Sequence, residues 1–161
     1  MFQMAIMGFG TIGSGVYDVV NTNRDVIRKN LGGEELDVKY VLDLREFPGK
    51  PVEKVLVHDV NTIMEDPEVK IVVETMGGVE PAFTFVSRAL KAGKSVATSN
   101  KELVAKKGVE LMELAKENHA SFLFGASVGG GIPIIRPLVR CLTADRIEEV
   151  AGILNGTTNY I

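Results

Sequence analysis

The first sixteen residues, Met1 to Val16, read MFQMAIMGFGTIGSGV. The apolar run Met4 to Met7 leads directly into Gly8, Gly10 and Gly13, the Gly-x-Gly-x-x-Gly spacing. Each glycine has a physical task in that spacing. Gly8 permits a tight turn out of a strand, Gly10 leaves the backbone open to a pyrophosphate, and Gly13 lets the next helix pack close to the sheet. Helical periodicity follows in Val16, Val19, Val20, Val26 and Ile27. Its free N–H groups and positive dipole end would face the phosphates. A glycine-rich strand-to-helix turn with no ligand is the competing reading.

Strand-like and helix-like segments alternate along the rest of the chain. After a loop at Asn30 to Glu35, Val38 to Leu44 predicts a second strand, and Phe47 to Pro51 a turn. A short helical turn at Asn61 to Asp66 precedes the β-branched run Ile71 to Val73. Pro81 opens a helix with Phe85, Val86, Ala89 and Leu90 as its apolar face, closed by Gly93. Strands at Ser95 to Thr98 and Ser121 to Phe124 flank a helix at Glu102 to Asn118. A helix at Ile134 to Leu142 and a last strand at Glu149 to Leu154 complete the pattern. Repeated βα units with continuous apolar strands predict an α/β, Rossmann-like doubly wound fold with a mainly parallel sheet.

The 161 residues suit one domain with a sizeable core, and the formal net charge of −3 with no basic stripe argues against a nucleic-acid partner. The apolar runs are too short to span a bilayer, so no membrane partner is expected. The N-terminal run lacks the basic flank and cleavage site of a secretory leader. Cys141 is the single cysteine, which excludes an intrachain disulfide and points to a reducing, cytoplasmic setting. It is expected as a small buried side chain on a helix. His58 and His119 are not in metal-ligand spacing.

In doubly wound sheets ligands bind at the carboxyl ends of the strands. The chemically distinctive residues fall there: Asp43, Thr75-Met76-Gly77, Ser99-Asn100-Lys101, the stretch Gly125 to Gly131, and Asn155-Gly156-Thr157. Asp43 would hold the adenosine ribose hydroxyls or stand as a solvated strand-end carboxylate. Arg45 and Lys50 would grip a 2′-phosphate or remain loop charges, so NAD and NADP both stay open, with a lean to NADP.

Taken in order, GFGTIGSGV (Gly8 to Val16), ETMGG (Glu74 to Gly78), SNKELVA (Ser99 to Ala105), ASVGGGIPII (Ala126 to Ile135) and ILNGTTNYI (Ile153 to Ile161) resemble the homoserine dehydrogenase family. The resemblance implies hydride transfer between NAD(P)(H) and L-aspartate 4-semialdehyde or L-homoserine, a small-molecule substrate. It implies cofactor contacts from Gly8, Phe9, Gly10, Thr11, Ile12, Gly13, Asp43, Arg45, Thr75, Met76, Gly77, Ser99 and Asn100. Lys101 is the expected catalytic group, stabilising the alkoxide or passing a proton. Asn155, Gly156 and Thr157 would approach the substrate.

The resemblance also implies a domain division: residues 1–149 as the NAD(P)-binding unit and 150–161 as the start of a substrate and dimerisation domain. A homodimer is expected of a full-length protein. The family's distal acidic and lysine pair should lie beyond Ile161, so the chain reads as an N-terminal portion that would not turn over substrate alone. Some members hold a monovalent cation, Na+, on backbone oxygens that match Val128, Gly130 and Ile132. An acidic residue that opens that turn in some members is Gly125 here. A tight turn needing glycine explains the same residues. Two further readings stay open: another Rossmann oxidoreductase acting on a sugar or inositol, and a nucleotide-sensing module without chemistry.

Overall fold

The computed structural model describes residues 1–152. Six strands form one parallel sheet: β1 (Phe2–Met7), β2 (Leu36–Leu42), β3 (Leu56–Val57), β4 (Val69–Glu74), β5 (Ser95–Thr98) and β6 (Phe122–Leu123). Their order is β3-β2-β1-β4-β5-β6, which reverses direction beside β1. The helices are α1 (Thr11–Thr22), α2 (Arg24–Asn30), α3 (Val60–Glu65), α4 (Ala82–Lys91), α5 (Lys101–Glu117), α6 (Gly125–Gly129) and α7 (Ile135–Cys141).

Alternation along β1 creates the two-sided core. Ala5 and Met7 enter a cluster with Val86, Leu90, Leu103 and Leu111 of α4 and α5. Met4 and Ile6 enter another with Val20 of α1 and Val52 of a 3-10 helix at Pro51–Val55. Period-two side chains therefore fill both faces of a central strand, which explains its unbroken apolar run. Burial of that run drives β1 into the middle of the sheet, and the glycine turn that follows is carried to the reversal point.

Several elements differ from the sequence reading. The first helix is two helices, because Asn23 leaves helical geometry (φ −104°, ψ 28°) between α1 and α2. β2 ends at Leu42, so Asp43 and Leu44 lie just beyond it. The two-residue β3 was too short to show a period. Ser127 Oγ donates to the Phe124 carbonyl (2.7 Å), and the stretch after β6 winds into α6 instead of remaining a plain turn. No strand forms over residues 149–152, and Ile153 and Leu154 lie outside the described residues. Cys141 is exposed at the end of α7, not buried, since no residue of this short helix is buried.

Candidate functional site

A cleft of about 720 Å³ opens at the carboxyl ends of β1, β2 and β4. It brings together Gly8, Phe9, Gly10, Asp43, Arg45, Thr75, Met76 and Gly77, residues far apart in sequence. The three motif glycines differ in what holds them. Gly8 has φ +96°, and a Cβ there would press on Met76 at 3.1 Å. At Gly13 a Cβ would strike the Gly8 carbonyl at 2.0 Å and Thr75 Oγ1 at 2.9 Å. Gly10 has ordinary extended geometry (φ −83°), and a Cβ there would meet nothing within 4 Å. The fold itself requires glycine at 8 and 13. At 10 it leaves an empty cradle.

Gly10 also caps α1, with no side-chain cap and no acidic residue in the first turn. Thr11, Ile12 and Gly13 therefore begin a twelve-residue helix whose first N–H groups have no carbonyl of their own turn to bond. An open backbone cradle beside an uncapped helix start fits the diphosphate of a dinucleotide.

At the other wall, Asp43 is tightly engaged. Its Oδ2 accepts the Phe9 N–H (2.7 Å) and Arg45 Nη2 (2.9 Å); its Oδ1 accepts the Arg45 N–H (3.0 Å) and Nε (2.9 Å). The Arg45 guanidinium, followed by backbone N–H donors, holds this carboxyl well below the usual carboxylate range. Arg45 Nη2 also donates to the Phe9 carbonyl (3.1 Å), and its guanidinium lies 5.3 Å from the Phe47 ring. Phe47 in turn packs edge-on to Phe9 (5.0 Å), so the turn at 47–51 anchors the cleft's outer wall. Lys50 joins the same ring at 5.9 Å.

His58, Asp59, Leu44, Pro81 and Phe85 also line the cleft, a role the sequence did not reveal for them. His58 follows the short β3, and no spacing rule marks it. Its Nδ1 lies 2.6 Å from the Asp43 carbonyl and its Nε2 2.9 Å from Glu46 Oε1. The Asp43 carbonyl first, then the Glu46 carboxylate, raise its pKa above the ordinary 6.5.

Ser99, Asn100 and Lys101 stand at the end of β5, outside the lining of this cleft. Asn100 is buried; its Oδ1 accepts the Leu103 N–H (3.0 Å), capping α5, and its Nδ2 donates to the Gly78 carbonyl (2.6 Å). Thr75 Oγ1 likewise donates to the Gly8 carbonyl (2.9 Å). The exposed Lys101 opens α5. Val128 sits in α6, Gly130 ends it at φ +60°, and Ile132 follows. Among the described residues no cluster of three or more His, Cys, Asp or Glu side chains is placed to hold a metal. None of the described helices is long and apolar enough to cross a membrane. Asn155, Gly156 and Thr157 lie outside the described residues.

A parallel sheet that reverses order beside a glycine turn, with the cleft at that reversal, defines a Rossmann-like α/β protein. Residues 8–125 match the family model for the homoserine dehydrogenase NAD binding domain, and residues 133–161 match a second homoserine dehydrogenase model. The chain belongs to the homoserine dehydrogenase family. Homoserine dehydrogenase of Lactococcus lactis is 40% identical over 167 residues, covering 99% of this chain and 38% of the relative. The Bacillus subtilis enzyme is 41% identical over 162 residues, covering 99% of this chain and 37% of its own length. The chain thus spans a little over a third of these relatives. A crystal structure of homoserine dehydrogenase from Thiobacillus denitrificans superposes with TM-score 0.88 at 38% identity, over 99% of this chain and 37% of that one. A hyperthermophilic archaeal homoserine dehydrogenase in complex with NADPH gives TM-score 0.69 at 29% identity, over 85% of this chain and 47% of that one.

Proposed function

We propose that this chain supplies the cofactor side of a homoserine dehydrogenase, an oxidoreductase of threonine and methionine biosynthesis. The reaction moves a hydride between NAD(P)(H) and C4 of L-aspartate 4-semialdehyde or L-homoserine. The observation that supports it best is Gly10, whose missing side chain the fold does not need. When bound, the nicotinamide cofactor supplies the hydride chemistry. The chain's own residues then have distinct tasks. The backbone from Gly8 to Gly13 seats the diphosphate. Asp43 and Arg45 face the adenosine ribose, and the spare Arg45 donors favour a 2′-phosphate and hence NADP over NAD.

Thr75, Met76, Gly77, Ser99 and Asn100 shape the nicotinamide end, and Lys101 stabilises the alkoxide or exchanges its proton. Residues 1–149 form the cofactor unit, with Asn155, Gly156 and Thr157 toward the substrate. The same reading includes a homodimer, and Na+ on the carbonyls of Val128, Gly130 and Ile132. Backbone oxygens suit such a hard cation.

The test is homoserine-dependent reduction of NADP+ by a protein in which this chain is joined to the remaining length its relatives have. Lys101→Ala should lower kcat by about 10²–10⁴-fold with cofactor binding retained. Full activity in that variant would remove Lys101 from the chemistry. No homoserine-dependent reduction by the parent would remove the reading itself.

A further inference from the structure

Glu74 ends β4, directly across the reversal point from β1, and has no accessible surface. Its Oε1 accepts the Met76 N–H (2.8 Å) and Asn100 Nδ2 (3.4 Å), and its Oε2 accepts the Thr98 hydroxyl. The Thr98 oxygen in turn accepts the Asn100 N–H (2.9 Å). Two N–H groups, which can only donate, meet Oε1. The Thr98 oxygen already takes the Asn100 N–H, which leaves its hydroxyl proton free for Oε2; a carboxylate fits this network. All three partners are neutral, and among the described residues no lysine or arginine pairs with it. A buried charge without a counter-ion is costly. Holding the turn at 75–78 against α5 does not demand that charge, because a glutamine oxygen would accept the Met76 N–H as well.

Position gives the charge a use. In this strand order a dinucleotide lies across the crevice between β1 and β4, its adenosine half toward β2. Its other half would then lie toward β4 and β5, on the side of the crevice where Glu74 ends β4. The nicotinamide ring is cationic when oxidised and neutral when reduced. A negative charge in a site shielded from water discriminates between those forms far better than an exposed one. Lys101 on the same side is exposed, so solvent and salt weaken its opposing field.

We propose that Glu74 sets the oxidation-state preference of the cofactor site, its buried carboxylate holding the cationic oxidised ring more tightly than the neutral reduced one. This rests on the dinucleotide reading above. Titration calorimetry of the parent and Glu74→Gln with NADP+ and NADPH tests it, with circular dichroism reporting the fold. The variant should weaken NADP+ binding by on the order of tenfold and leave NADPH unchanged. A merely structural role would weaken both alike, and that result overturns the proposal while leaving the dinucleotide reading intact. Failure of the parent to bind either form overturns both. The parent also gives a second test that needs no variant. Benzamide adenine dinucleotide, a neutral analogue of oxidised NAD with nearly the same shape, should bind more weakly than NAD+. Equal affinity would overturn the proposal even if Glu74→Gln does not fold.

Discussion

Asp43 Oδ2 accepts the backbone N–H of Phe9 across 2.7 Å, which ties the end of β2 to the glycine turn after β1. Arg45 completes the lock by bonding both Asp43 oxygens and the Phe9 carbonyl. A residue expected to face a ribose therefore also shapes the turn that seats the diphosphate.

Asp43→Ala should cost about 2 kcal/mol, the scale of losing charge-assisted hydrogen bonds at a part-buried carboxylate. Because the folded-state pKa of Asp43 is depressed, its stabilisation is complete above the unfolded carboxylate pKa near ~3.9. It is lost as pH falls below that value through the folded pKa. Urea unfolding near neutral pH and in acid should show the gap between parent and variant closing in acid. A gap of constant size would contradict the ionised lock.

Gly13→Ala should destabilise by about 1–3 kcal/mol or prevent folding, since its Cβ meets the Gly8 carbonyl at 2.0 Å. Gly10→Ala, with nothing within 4 Å, should leave the melting temperature essentially unchanged. Thermal unfolding of both variants separates the two glycines. Equal losses would mean that Gly10 also serves the fold.

Arg45→Ala should weaken NADP+ more than NAD+, because a guanidinium answers the 2′-phosphate and Asp43 opposes it. Its Nε and Nη2 are already engaged by Asp43 and the Phe9 carbonyl, which leaves Nη1 to answer such a phosphate. Dissociation constants at low salt decide the matter. Tighter NAD+ binding by the parent would reverse the preference.

The β1 apolar run and its glycines made the fold legible, because a strand buried on both faces must be continuously apolar and its exit turn must be tight. Asp43 and the 75–77 turn were legible as strand ends for the same reason. His58 was not, since a two-residue strand has no periodicity and the contacts of His58 are with distant residues. Nor was the inward role of Asn100. Its bond to Gly78 depends on how β4 and β5 pack side by side.

His58 should titrate above its ordinary value by NMR, since both ring nitrogens face acceptors. A raised folded-state pKa means its contribution to stability is full below the unfolded value near ~6.5 and disappears as pH rises through the folded pKa. The stability difference between parent and His58→Gln should therefore shrink on going to alkaline pH. A folded-state pKa at or below that of an unfolded histidine would contradict the bridge between Asp43 and Glu46.

If the space above Gly10 takes the diphosphate of a dinucleotide, a side chain there must displace it. Titration calorimetry of NADP+ and NAD+ with the parent and Gly10→Val measures that displacement. The new side chain enters open space, so the fold should survive while binding of both cofactors falls by on the order of tenfold or more, as expected where a side chain blocks close backbone approach to the phosphates. Unchanged affinity for both cofactors in a folded Gly10→Val protein would contradict the assignment of this turn.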